Sequence, residues 1–234
     1  HTHIIDQVVE VDEALMEAYL ESGQNLDPDQ LHDAFEKALR ERHLIPVFFV
    51  SAETGAGVSE LLDYIARLMP SPREANPPPF MRGEGDAAEP VVVTSEPDQH
   101  VVAHVFKVVV DPYVGRTAVL RIHQGTIRAG AQLFVGDARK PIKLNHLFKL
   151  QGKQNIEVDS AGPGDIVAVT RIDSLDFNDV LHDSHDEDHF HVRLPDMAPP
   201  MMGVAIEPAQ RGNEQKLSDA LHKLRAEDPA LHVE

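Results

Sequence analysis

The densest run of side chains able to do chemistry lies between residues 182 and 191. There His182, Asp183, His185, Asp186, Asp188, His189 and His191 offer imidazole nitrogens and carboxylate oxygens in close succession. H-x-x-H and H-x-H spacings of this kind suit zinc or nickel. No partner cluster stands elsewhere in the sequence, so the tract is read as a solvated acidic loop between domains and no metal is assigned. His182, His185, His189 and His191 are its candidate ligands. A second constellation is basic: Arg139, Lys140, Lys143, Lys149 and Lys153 fall close together and could meet the phosphates of a nucleic acid. The bland alternative is a set of solvated strand-edge charges.

Charge distribution bears on that choice. The 234 residues carry a formal charge of −18, which argues against a phosphate-rich partner for the chain as a whole. Residues 97–181, however, hold ten Lys or Arg against nine Asp or Glu, so the acidity belongs to the flanks. Cysteine is absent, which removes thiol catalysis, disulfides and thiolate metal sites. No serine stands in a G-x-S-x-G elbow. Neither the phosphate-cradling string G-x-x-x-x-G-K-[ST] nor an N-K-x-D for guanine occurs. Phosphoryl transfer depends on positioning and charge neutralisation by such parts, so this chain by itself is expected not to hydrolyse a nucleotide.

The elements that must position these groups follow from periodicity. Asp12 is expected to cap a helix running to about Ser22, and Asp27-Pro28 to start another with Leu31, Ala34, Phe35, Ala38 and Leu39 on its apolar face. Ile45–Val50 (IPVFFV) reads as a strand buried on both faces of a parallel sheet, followed by the turn SAETGAG and a helix over Val58–Leu68. Proline, glycine and charge between Pro70 and Pro90 read as an extended interdomain linker. From Val91 to about Leu181, short β-rich runs alternate with turn residues, as in an antiparallel barrel. The expected strands are Val101–Val110, Thr117–His123, Gln132–Val135, Ile142–Leu150 and Asp165–Arg171. A strand at Met201–Ile206, with Met201 and Met202 in its core, a helix over Asn213–Ala226 and a strand beginning at Leu231 complete the reading.

His1 in place of an initiating Met, and a final βαβ start that halts in its second strand, lead us to expect a piece of a longer protein. No apolar run approaches the roughly 20 residues that span a bilayer, and no secretory signal opens the chain, so a soluble, cytoplasmic protein without a membrane partner is expected.

Several stretches together resemble a known family. Ala103–Leu133, AHVFKVVVDPYVGRTAVLRIHQGTIRAGAQL, is similar to the opening of the second domain of elongation factor G, and Gly164-Asp165-Ile166-Val167-Ala168 resembles a later strand of that domain. GVAIEP (Gly203–Pro208), Gln215-Lys216-Leu217 and Ala226-Glu227-Asp228-Pro229 look like the start of its third domain. The resemblance implies a multidomain α/β plus β architecture. Residues 1–72 would be the C-terminal part of a P-loop GTPase domain, 73–90 a linker, 91–190 an antiparallel β-barrel and 191–234 the beginning of a ferredoxin-like α+β domain. Ser51-Ala52 would then be the motif that closes the guanine site, although Glu53 departs from the lysine or leucine often found next. The intact protein would use GTP with Mg to move tRNA and mRNA on the ribosome, touching ribosomal RNA through the basic cluster. Asp111-Pro112-Tyr113-Val114-Gly115 is read as a turn between barrel strands rather than an RNA contact. The alternatives are a paralogue for ribosome recycling or ribosomal protection and, from another class, a non-enzymatic β-barrel that binds metal or serves as a scaffold.

Overall fold

The computed structural model describes all residues except 1, 11–12, 22–26, 75–77, 112–114, 196, 198–199 and 234. The expected cap at Asp12, the helix end at Ser22 and the centre of the D-P-Y-V-G turn lie outside the described residues. Residues 1–76 and 77–234 form two separate units.

The first unit is helical: α1 (Thr2–Val9), α2 (Glu13–Glu21), α3 (Pro28–Arg40) and α4 (Val58–Leu68). The sequence reading lacked α1. Its Val8 and Val9 are fully buried with Leu15, Tyr19 and Ala34, while Leu31, Phe35 and Leu44 close the cluster from the side. Proline at the first position of α3 sacrifices no needed donor, and the Asp27 carboxylate accepts from the Asp29 amide at 3.0 Å. The expected strand at Ile45–Val50 does not form; Ile45 is 79 % and Phe49 93 % exposed. A strand buried on both faces needs a neighbour on either edge, and among the described residues of this unit there is no strand for it to pair with.

The second unit opens with β1 (Phe80–Arg82) and β2 (Glu89–Val91), then β3 (Val102–Asp111), β4 (Gly115–Gln124), β5 (Ile127–Arg128), β6 (Ala131–Val135) and β7 (Ile142–Leu144). It continues with β8 (Leu147–Gln151), β9 (Gln154–Val158), β10 (Ser160–Ala161), β11 (Ile166–Thr170), β12 (Val180–His182), β13 (Phe190–Val192) and α5 (Glu214–Glu227). Eight strands pair antiparallel in the order β7-β6-β12-β3-β4-β11-β8-β9. β7 and β8 stand near opposite ends of that order, yet Asn145 and His146 alone join them, so the sheet must curl until its ends meet. This is the curled half-barrel of the expected antiparallel architecture. Inside it lie Ala103, Val105, Leu120, Ile122, Leu133, Leu144, Leu147, Val167, Val169 and Leu181. Residues 103 and 105, 120 and 122, and 167 and 169 alternate along their strands, as the pleat requires. Bulges between Val102 and Ala103 and between Val105 and Lys107 bend β3 where it pairs with β4.

The structure corrects four further expectations. Phe80, inside the supposed linker, is 1 % exposed and pairs across β1 with Val192, in a second cluster with Val93, Val102, Val180 and Phe190. The histidine tract is not a solvated loop but β12, a short 3-10 turn at His185–Glu187 and β13. The run Met201–Ile206 forms no strand and Met201 is 95 % exposed, so the methionines are not core; no strand forms near Leu231 either. α5 lies along β3, where Ala226 packs on the barrel core and Glu227 Oε1 accepts from the Val110 amide at 2.5 Å. Among the described residues no helix is long and apolar enough to cross a membrane.

Candidate functional site

In the first unit the turn after IPVFFV is closed by its own backbone. The Ser51 amide donates to the Ala56 carbonyl and the Gly55 amide to the Ser51 carbonyl, both at 2.9 Å, while Ser51 Oγ accepts from the Thr54 amide at 3.3 Å. Gly57, just before α4, has φ +74°, and a Cβ there would stand 2.5 Å from the Phe49 carbonyl oxygen. Glycine is therefore required if the turn is to sit against the preceding run. Phe48 packs on Tyr64 of α4 with ring centroids 4.7 Å apart, and burial pushes the Tyr64 hydroxyl above its ordinary pKa. Ala52 is exposed, and its amide meets no acceptor among the described residues. Such an amide is able to donate to a ligand carbonyl at the head of α4.

In the second unit the junction between the two ends of the curled sheet forms a groove of about 470 Å³. Lys143, His146, Phe148, Asn155, Glu157 and Arg171 line it. The His146 ring stacks beside Phe148 with centroids 6.2 Å apart, and its Nδ1 lies 2.5 Å from Glu157 Oε1. Cations beside an exposed ring and an amide side chain make a surface able to hold a phosphate while a base or sugar stacks.

Of the five predicted basic residues, this groove takes Lys143 alone. Leu147 of β8 points into the core, so Lys149, two residues on, lies on the face opposite Phe148 and pairs with Asp165 at 3.0 Å. Burial, the largest single influence on Asp165, pushes its carboxyl up; the Gly162 amide and Lys149 together outweigh that and hold it below the usual carboxylate range. Arg139 and Lys140 are exposed between β6 and β7, and Lys153 is exposed in the β8–β9 turn. Sequence reasoning missed His146 and Arg171. The polar pair Asn145-His146, which interrupts the expected strand Ile142–Leu150, was the available signal.

The four histidines of the tract form no ligand cluster among the described residues, although His182 and His185 both approach the Asp188 carboxylate, at 3.7 and 3.1 Å. His182 is fully buried, with Nε2 2.6 Å from the Gly136 carbonyl and Nδ1 2.7 Å from that of Ser184. His185 lies against Phe134 and Asp188, and His191 Nδ1 stands 3.4 Å from the His189 carbonyl. The potential ligands that do come together are His100, Asp183 and Glu187.

Comparison with known proteins agrees with this layout. Residues 100–184 match the family described as elongation factor G domain 2, and residues 197–234 match elongation factor G, domain III. The chain is 30 % identical to elongation factor G of Salinibacter ruber and to that of Ureaplasma parvum serovar 3, over 99 % of its own length. It spans 32 % and 33 % of those relatives, about a third of each. A crystal structure from Thermus thermophilus superposes with a TM-score of 0.77 at 32 % identity, covering all of this chain and 32 % of the other.

Proposed function

The chain belongs to the elongation factor G family, and on that premise we propose that it is a segment of a cytoplasmic translational GTPase. In this reading residues 1–72 close a nucleotide domain, the barrel over 91–190 meets ribosomal RNA, and 191–234 begin a third domain. Ser51 and Ala52 would complete a guanine site for GTP with Mg, the exposed Ala52 amide donating to the ring's carbonyl. The intact protein would drive movement of tRNA and mRNA on the ribosome. The chain shown here carries no phosphate loop, so we assign it no turnover of its own.

The observation that carries the RNA role is the groove at the sheet junction, where Lys143 and Arg171 stand around Phe148 and Asn155. Lys149 supports it less, because Asp165 already neutralises its charge. The test is binding of the 234-residue chain to ribosomes by co-sedimentation across a salt series. Lys143→Ala should weaken binding and reduce the slope of log K against log salt by roughly 0.7–0.9, the signature of one lost phosphate contact. Lys149→Ala should change the slope by less than half of that. Equal slopes in all three proteins would remove the groove from the RNA interface.

A further inference from the structure

We propose that His100, Asp183 and Glu187 form a divalent-cation site at the end of the β3–β12 ladder. The register places them together. β12 pairs with β3 through His182 opposite Val102, so the residues just outside the ladder, Val101 and Asp183, face each other. The Asp183 carboxylate accepts from the Val101 amide at 2.9 Å, and the same oxygen lies 3.2 Å from His100 Nδ1. Gln124 Nε2 donates to the His100 carbonyl at 3.0 Å and holds that residue from the other side. Glu187 closes the 3-10 turn, whose start is capped by Ser184 Oγ accepting from the Asp186 amide. One donor atom from each of the three lies within 4.8 Å of the other two. Two donors on one zinc ion, each at about 2.0–2.2 Å, stand about 3.4 Å apart in tetrahedral geometry, so small side-chain rotations suffice.

A second observation, independent of the clustering, points to a ligand. Glu187 is 8 % exposed, and its Oε2 is fully buried with no hydrogen-bond partner among the described residues. A buried carboxylate oxygen without a donor is costly, and a cation removes that cost. Two carboxylates facing one imidazole also leave the cluster a negative charge in excess. Nitrogen plus carboxylate oxygen selects zinc, manganese or nickel over the soft monovalent ions, and three protein ligands leave positions for water. None of the histidines first suspected from the sequence takes part; the imidazole comes from His100, more than eighty residues upstream of its partners.

The experiment titrates zinc chloride, and separately manganese chloride, into the 234-residue chain by calorimetry, with thermal melting in parallel. One equivalent should bind and raise Tm. His100→Ala, a change at an exposed position, and Glu187→Gln should each weaken binding by about tenfold or more and abolish the metal-dependent rise in Tm. The double variant His185→Ala, His191→Ala should bind as the parent does. No saturable binding of either ion, parental affinity in either ligand variant, or loss of binding in the double variant overturns the proposal. His100→Ala leaves the buried core untouched, so the test stands even if Glu187→Gln does not fold.

Discussion

His123 gives the barrel an acid-sensitive seam whose size follows from its surroundings. It lies on β4, on the face opposite Leu120 and Ile122, where its ring meets Phe80 edge-on at 5.0 Å and His104 at 6.3 Å. Its Nε2 is buried without a partner among the described residues. Burial first, then the positive charge of Arg121 and the neighbouring His104, lower its pKa from 6.5 to about 4. In the unfolded chain the same imidazole takes a proton below about 6.5, so folding must keep it neutral across the intervening range. The contribution to stability is complete above pH 6.5 and is lost as the pH falls toward 4. At about 1.4 kcal/mol per unit, the loss is roughly 2 kcal/mol by pH 5 and roughly 3 kcal/mol by pH 4. His104, also lowered by burial, acts in the same sense. Asp179, raised by burial, acts in the opposite one. The total pH profile therefore mixes several groups, and the informative quantity is a difference. Urea unfolding of the wild type and His123→Phe at half-unit steps from about pH 7.5 to 4.5 should show the variant gaining on the wild type below about pH 6.5, with no divergence above it. A difference that stays flat within about 0.5 kcal/mol over that range would refute the burial of a neutral His123 beside Phe80.

Two pairs of substitutions test the barrel directly. Gly125 has φ +72°, and a Cβ there would stand 2.7 Å from the Gln99 carbonyl oxygen and the Val101 Cα, whereas Gly130, at φ +82°, has nothing nearer than the Lys143 Cε at 4.0 Å. Gly125→Ala should therefore cost well over the roughly 1–2 kcal/mol of left-handed strain expected for Gly130→Ala, and equal losses by denaturation would contradict the close approach. Leu120, fully buried at the centre of the sheet, should lose about 2–5 kcal/mol on change to Ala, while Ile166→Ala, half exposed on β11, should lose less than half as much.

What could be read in advance divides along a physical line. Signals local to a segment were legible. Asp27-Pro28 starts α3, Val58–Leu68 is helical over its whole expected range, and the alternation in Val101–Val110 and Thr117–His123 yields β3 and β4 within two residues at either end. Features created by distant pairing were not. β9, Gln154–Val158, is a polar edge strand with four of five residues exposed, so no apolar alternation announces it; it exists because Leu147–Gln151 pairs with it across the Gly152 turn. Phe80 sits among prolines and charges that read as linker, yet Val192 opposite it makes a core residue of it. IPVFFV and Met201–Ile206 show the converse. An apolar run records a need for cover, and secondary structure follows only where partner strands meet it.

The candidate sites obey the same division. Residue type marked lysines and histidines as chemically able, but the register and the curl of the sheet decide which of them meet. Curling brings Lys143 to Arg171 and Phe148, and pairing of β12 with β3 carries His100 to Asp183 while sealing His182 inside against two carbonyls. His182 is fully buried with a backbone carbonyl against each ring nitrogen, so neither nitrogen is open to a metal and the most buried member of the tract is the least able to act as a ligand. The imidazole beside Asp183 comes instead from His100, in the segment just before β3. Pairing between β3 and β12, rather than proximity along the chain, is what makes a cation site possible at that end of the barrel.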